Sequence, residues 1–324
     1  MGYNKYMNAK KGLIGLSPMD GVTDTVMRQI TKKYGHPDLM TTEFVNVEGY
    51  HFAKKRLAPE LQFVPSEKPL IAQIYGLTPE YFAEATKDIL HLGFAGVEIN
   101  FGCPAKSVVH SGAGASMIKT PELAKEIVLA VQHTVGESAH HIPVSIKTRI
   151  GYEQNTAATW IPFLLALHPD RLTIHGRTLK QGYTGAADWE TIGQAVHWRD
   201  QISPQTQLFG NGDINSRAQA LQRIEQYQLD GVLIGRAALG NPWVFTDEQP
   251  TVATRCQVAL EHCQLFEKTY GQREKYAFFV MRKHLAAYIS HFPDAKNVRA
   301  ALMQTTNSQQ VKEIFVKADL LTLN

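Results

Sequence analysis

Short apolar runs alternate with helix-spaced apolar positions along the first three quarters of the chain. Leu13-Ile14-Gly15-Leu16 is the first run, and Ser17-Pro18-Met19-Asp20-Gly21 ends it as a turn. Thr23 or Asp24 can then cap a helix through about Tyr34. Leu39–Phe44 and Pro69–Gly76 read as the second and third strands. Thr78-Pro79-Glu80 opens a helix with Phe82, Ala85, Ile89 and Leu92 on its apolar side. The run Phe94–Ile99 is a buried fourth strand that Asn100-Phe101-Gly102-Cys103-Pro104 stops abruptly. A glycine-rich loop, Ser111–Ala115, precedes a helix begun by Thr120-Pro121-Glu122 and carrying Leu123, Ile127, Val128 and Val131. Strands follow at Pro143–Gly151, Arg171–His175, Leu208–Asp213 with its turn, and Asp230–Arg236. Helices are expected near Asp188-Trp189, over Ser216–Tyr227 and briefly at Ala237–Leu239. Eight strands in alternation with helices predict an α/β fold, a parallel (β/α)₈ TIM barrel. Past Pro242 the alternation stops. From about Thr251 the pattern is all helical, through Val258, Phe266, Phe278, Leu285, Val298 and Phe315. The expected division is a barrel over 1–248 and a small C-terminal helical bundle over 249–324.

Composition changes this picture in two places. At 324 residues, 44% hydrophobic and 19% charged, the chain is an ordinary globular protein of one barrel plus an appendage. The net charge of +3 is unevenly spread. From Thr251 onward there are ten Lys/Arg against six Asp/Glu, which points to a polyanionic partner for the tail. Arg282, Lys283, Lys296 and Arg299 gather there with Tyr288 and His291. The three cysteines, Cys103, Cys256 and Cys263, are too few for a disulfide scaffold and fit a reducing compartment. Cys256 and Cys263 are spaced to share one helix face in a core. No zinc-ligand spacing, signal-peptide pattern or 18-residue apolar run is present, so the expectation is a cytoplasmic protein without metal or membrane span.

The candidate chemistry lies at strand ends. In a parallel barrel the C-terminal ends of the strands carry the site. Cys103 stands there on a tight turn between an amide and a proline, with Lys106 within reach. A cysteine serving only as a small core residue needs no such turn. Pro18 and Met19, at another strand end, can meet a flat ring system. Gln73 is a polar group in an apolar strand and needs a partner, either a ligand's amide edge or a neighbouring strand. Lys147 and Arg149, two apart, share a face and call for an anion, an electron-rich ring or a strand-end salt bridge. His175 ends its strand beside Arg177, which is expected in a loop. Backbone N–H groups at Gly212, Gly235 and Arg236, with the Arg236 side chain as counter-charge, match the usual barrel phosphate cradle.

Taken together these residues resemble the tRNA-dihydrouridine synthases over about 13–319. The matching pieces, in that family's order, are Ser17-Pro18-Met19-Asp20-Gly21, Asn100-Phe101-Gly102-Cys103-Pro104-Ala105-Lys106, Lys147-Thr148-Arg149-Ile150-Gly151, His175-Gly176-Arg177-Thr178, Asn211-Gly212-Asp213-Ile214 and Ile234-Gly235-Arg236. Phe101 departs from a smaller residue common in the family. The resemblance implies an FMN-dependent reductase, with NADPH as electron source, that reduces the C5=C6 bond of a D-loop uridine in tRNA. It implies that Pro18 and Met19 border the flavin, that Gln73 and Lys147 meet its polar edge, and that His175 lies close to it. Asn211, Gly212, Gly235 and Arg236 are expected to hold its phosphate, with Asp213 also at the cofactor. Hydride delivery from flavin N5 to C6 leaves C5 needing a proton, and Cys103 is the expected donor. Asn100, Lys106, Arg149 and Arg177 are expected at the substrate, with Arg282 and Lys283 of the tail on tRNA phosphates. The uridine must be flipped out to reach a barrel mouth. A monomer is expected. The rival readings are an FMN barrel oxidoreductase of the dihydroorotate dehydrogenase type acting on a small molecule, and a non-catalytic RNA-binding barrel.

Overall fold

The computed structural model describes residues 12–271, 277–290 and 292–322. Among them eight parallel strands close into a barrel in sequence order: β1 (Leu13–Leu16), β2 (Leu39–Asn46), β3 (Leu70–Tyr75), β4 (Gly96–Phe101), β5 (Val144–Gly151), β6 (Arg171–Thr178), β7 (Gln207–Asn211) and β8 (Gly231–Ile234). β1 pairs with both β2 and β8, which closes the ring. Nearly every strand residue is buried, as expected of strands covered on both faces. Leu13, Leu39, Ile71, Phe209 and Leu233 form one apolar cluster, which places packed side chains inside the barrel.

Three strands run further than the apolar runs suggest, β2 reaching Asn46. β4 includes Asn100 and Phe101, and β6 continues through Arg177 to Thr178, so Arg177 is a strand residue and not the start of a loop. The polar side chains there have partners beyond their own strand: Asn100 donates to Gln73 of β3, and Arg177 pairs with Asp213 in the turn after β7.

Helices follow the strands as α1 (Thr25–Gly35), α2 (Pro79–Leu92), α3 (Pro121–Gly136), α4 (Ala157–Leu165), α5 (Trp189–Ile202) and α6 (Arg217–Tyr227). Asp24, Asp188 and Ser216 cap α1, α5 and α6 by accepting from backbone N–H groups of the first turn. α4 has no counterpart in the sequence reading. It lacks a side-chain cap and has Pro162 inside it, so its residues show neither a start signal nor a clean period. The later helices are α7 (Val252–Tyr270), α8 (Met281–Tyr288), α9 (Ala295–Leu302) and α10 (Ser308–Lys317). Among the described residues no helix is long and apolar enough to cross a membrane.

The contacts divide the chain into two compact units, and the division differs from 248/249. One unit holds the barrel, up to Asp20 and over Asp38–Gly235. The other holds Gly21–Pro37 and the chain from Arg236. The first βα helix therefore belongs with the tail helices. Val26 and Ile30 of α1 share an apolar core with Trp243, Cys256, Cys263, Phe266, Leu285 and Phe315. Tyr34 donates to Glu261 at 2.6 Å and Lys33 pairs with the same carboxylate at 2.8 Å. Gly35 allows the approach: a Cβ there would sit 2.1 Å from the Pro242 carbonyl oxygen. These are long-range contacts, invisible to a composition shift along the chain.

Candidate active site

The register sets the polar strand-end residues in two successive rows, two residues apart on β5. Asn100 is opposite Lys147, Arg149 opposite His175, and His175 opposite Asn211. Asn100 is buried, and its side chain builds the turn that follows. Its Oδ1 accepts from Gly102 N at 2.9 Å and Cys103 N at 2.8 Å, while its Nδ2 donates to Gln73 Oε1 at 2.9 Å. Gln73 Nε2 in turn donates to Glu98 Oε1 at 2.6 Å. The partner that Gln73 needs is thus a neighbouring strand at both ends of its amide. Glu98, which the sequence reading placed in a buried strand without giving it a role, is fully buried. Burial holds its carboxyl above the usual range, against the pull of Lys147 and Arg171.

Cys103 is a free, buried thiol. It packs with Val108 and Ala113, and with Phe44, Tyr75, Leu77 and Ala105 around them. The glycine-rich loop lies against it. Ala115 N donates to the Cys103 carbonyl at 3.1 Å, and Gly114, at φ 59°, could not carry a Cβ, which would stand 2.9 Å from that oxygen. Burial pushes the thiol above its ordinary pKa, and the carboxylate of Asp20 adds to this. An Ala105 backbone hydrogen bond, Arg149 and Lys147 oppose the rise. Tyr75, a neighbour the sequence reading passed over, is pushed to about 12 by burial and by Cys103.

Lys147 is half-buried and donates to Asn211 Oδ1 at 3.2 Å, while Asn211 Nδ2 donates to the Leu233 carbonyl at 2.8 Å. Burial lowers Lys147 to about 8, with Glu98 pulling the other way. An ammonium has three donors, and among the described residues a single acceptor meets this one. Arg149 shares the face but is committed to main chain: Nε to Gly102 O at 2.7 Å and Nη1 to Thr178 O at 3.2 Å.

Arg177 is almost wholly buried and pairs with Asp213, Nη2 to Oδ2, at 2.6 Å. It also donates to the Gly185 carbonyl at 2.6 Å, with His175 Nε2 3.4 Å from Nη1. Asp213 accepts from Ala187 N at 2.8 Å as well. The Arg177 and Asp213 side chains, expected at substrate and cofactor, are thus neutralised by each other and anchor the loop after β6. Gly212, at φ 129°, has room for no Cβ, which would lie 2.7 Å from Ala187 Cβ and 3.2 Å from the His175 ring. At Gly235 the nearest atoms to a Cβ are Met19 Sδ at 3.6 Å and Ser17 Cβ at 3.7 Å. Lys106 is exposed at the start of the short helix Lys106–His110, and Arg236 is exposed in the turn Arg236–Ala238 of the second unit.

In the helical unit the basic residues divide. Arg282 donates to Thr305 O at 3.3 Å and Arg299 to Ile289 O at 2.9 Å. Lys283 is half-buried near Gly21 and Asp24, and Lys296 is exposed. Tyr288 is core, and His291 lies outside the described residues. No group of three His, Cys, Asp or Glu side chains among the described residues could hold a metal ion.

The site thus holds a buried thiol at a barrel mouth with amide and ammonium donors around it. Residues 15–323 match the family model for dihydrouridine synthase. The chain belongs to the dihydrouridine synthase family. As such it is an oxidoreductase that makes dihydrouridine. A probable tRNA-dihydrouridine synthase of Staphylococcus aureus (strain MRSA252) is 34% identical over 311 residues, covering 93% of this chain and 91% of that protein. Probable tRNA-dihydrouridine synthase 2 of Bacillus subtilis (strain 168) is 33% identical over 304 residues, covering 93% and 92%. Among solved structures, an old yellow enzyme homologue from Zymomonas mobilis superposes with a TM-score of 0.51 at 14% identity, covering 72% of this chain and 88% of that one. Morphinone reductase in complex with tetrahydroNAD gives 0.50 at 13%, covering 75% and 89%. At such identity the likeness of this dihydrouridine synthase to these proteins is one of fold.

Proposed function

We propose that this dihydrouridine synthase reduces the C5=C6 bond of a D-loop uridine in tRNA, with FMN as its bound flavin and NADPH as electron source. The observation that carries the reading is Cys103: a thiol kept protonated by burial, on a turn shaped by Asn100, at the mouth of a barrel. The donor set fits a flavin. Lys147 has donors to spare, Asn211 steadies it, and Gly235 lies in van der Waals reach of Met19 and Ser17. Pro18 and Met19 would border the ring system, Gln73 and Lys147 would meet its polar edge, and His175 would lie close to it. The backbone at Gly212 and Gly235 takes the phosphate. Bound here and reduced, FMN would supply the hydride for C6 of the uracil. Cys103 gives its Sγ proton to C5, and Asn100 holds the turn so that the thiol points at one place. Lys106 is the exposed cation nearest that turn in sequence and binds substrate. The target base leaves its stack to enter. The helical unit binds tRNA through Lys283 and its neighbours, in a cytoplasmic, monomeric enzyme.

The decisive test is anaerobic single turnover. NADPH-reduced protein is mixed with unmodified tRNA while flavin reoxidation and dihydrouridine are followed together. Dihydrouridine appearing at the rate of reoxidation upholds the reading. A flavin that stays reduced with tRNA but reoxidises with orotate or a small enone overturns the substrate.

Two further results are expected. FMN affinity should fall as pH rises through about 8, where Lys147 loses its charge. A flat affinity from below to above that value removes Lys147 from the flavin. Neutralising Arg282 and Lys283 together as glutamines should weaken tRNA binding more at low salt than at high salt. Equal affinity of variant and wild type at both salt concentrations takes that face out of the interface.

A further inference from the structure

Of the apolar side chains that reach the surface of the barrel unit, Phe52 is the most exposed, at 77%. It ends the short helix Val47–Phe52, which follows β2 directly and so stands on the same rim as the Cys103 turn. An exposed ring of this size is usually mobile or covered, and this one is held. His51 stacks on Tyr81, 3.9 Å between centroids and 12° between planes, and Phe52 meets both rings edge-on at 4.8 and 5.8 Å. His51 is fixed in turn by Glu84, Nδ1 to Oε2 at 2.6 Å. One face of Phe52 is thereby presented to solvent on a rigid mount.

Next in the chain is Lys54-Lys55-Arg56, in the turn Lys54–Leu57, which has no acid in its first turn. Lys54 is taken by Asp88 at 2.6 Å. Lys55 and Arg56 are exposed, and among the described residues no acid pairs with either. A rigid aromatic face beside two unpaired cations is the arrangement that holds unpaired nucleotides, with a base on the ring and the flanking phosphates on the cations.

We propose that Phe52, Lys55 and Arg56 form a docking surface for a second unpaired base of the tRNA substrate, apart from the uridine that is reduced. This rests on the reading of the chain as a tRNA-dihydrouridine synthase. A docked second base fixes the orientation of the loop on the barrel rim, and so which uridine is presented to Cys103.

The test uses the full-length, FMN-loaded enzyme and unmodified tRNA. Phe52→Ala should weaken tRNA binding roughly tenfold, a stacking loss expected for one base, and Phe52→Trp should restore it. Lys55→Gln with Arg56→Gln should lower the magnitude of the slope of log affinity against log salt by about 1.4, the loss of two phosphate contacts on a single strand. Flavin reduction by NADPH should match wild type in all three. If wild type makes dihydrouridine while Phe52→Ala and the double glutamine variant bind tRNA as wild type does, with an unchanged salt slope, the docking surface is wrong and the enzyme reading survives. If wild type makes no dihydrouridine on tRNA, the reading itself falls and takes this surface with it.

Discussion

Replacing Cys103 with alanine is expected to slow dihydrouridine formation by about 10²–10⁴-fold, the usual contribution of a positioned general acid. Flavin reduction by NADPH should be unchanged. The reason is the environment of the thiol. A nucleophilic cysteine sits where cations depress its pKa. Here burial raises it, the carboxylate of Asp20 raises it further, and Arg149 and Lys147 only partly offset the rise. A group that must donate a proton is active below its pKa and lost above it. A raised value therefore moves the alkaline limit of the reaction upward, and Cys103 stays competent through the neutral range. Single-turnover dihydrouridine yield against pH checks both parts. Wild type should hold its rate through neutral pH and decline on the alkaline side. The alanine variant should be slow throughout. An alanine variant that turns over tRNA at the wild-type rate would remove Cys103 as the acid. The backbone of the turn should survive the change, because Asn100 bonds the main-chain N–H groups of residues 102 and 103 and not the sulfur.

Arg177→Met is expected to destabilise the protein substantially. The Arg177 side chain is 2% exposed and donates to Asp213 and to the Gly185 carbonyl. Removing one partner of a buried ion pair costs about 3–5 kcal/mol, because the other charge is left without compensation. Solvent reaches Asp213, whose side chain is 31% exposed, and screening lowers the expected cost to about 2–3 kcal/mol. Urea unfolding followed by circular dichroism measures it. The variant should also bind flavin less well, because this guanidinium reaches both Asp213 and His175, which flank Gly212. The opposite outcome is equally informative. Unchanged unfolding free energy with a large loss of tRNA affinity would return Arg177 to the substrate role expected from its motif.

Asn100 and Gln73 show how far a motif reads. The polar residue in an apolar strand and the amide before Cys103 are both visible as anomalies. Their partners are not visible, because each lies on another strand. Gln73 and Glu98 are 25 residues apart, and Gln73 and Asn100 are 27 apart. Glu98 is an anomaly of the same kind, an acid in a run read as buried, and its role appears only with its partner on β3.

What the sequence by itself determined is the class of fold and the place of the chemistry. Strand and helix periods are local, so the order of eight βα units is legible from apolar spacing, and Gly and Pro mark where each strand stops. Parallel strands put those stops on one rim, which locates Cys103, Lys147, His175 and Asn211 before any contact is known. The tertiary structure alone decided which polar groups remain available. It tied Arg149 to two carbonyls and Arg177 to Asp213, left Lys147 with spare donors, and drew α1 out of the barrel unit into the core of the helical one. Each of these follows from burial and charge compensation between distant residues, and no local pattern encodes that.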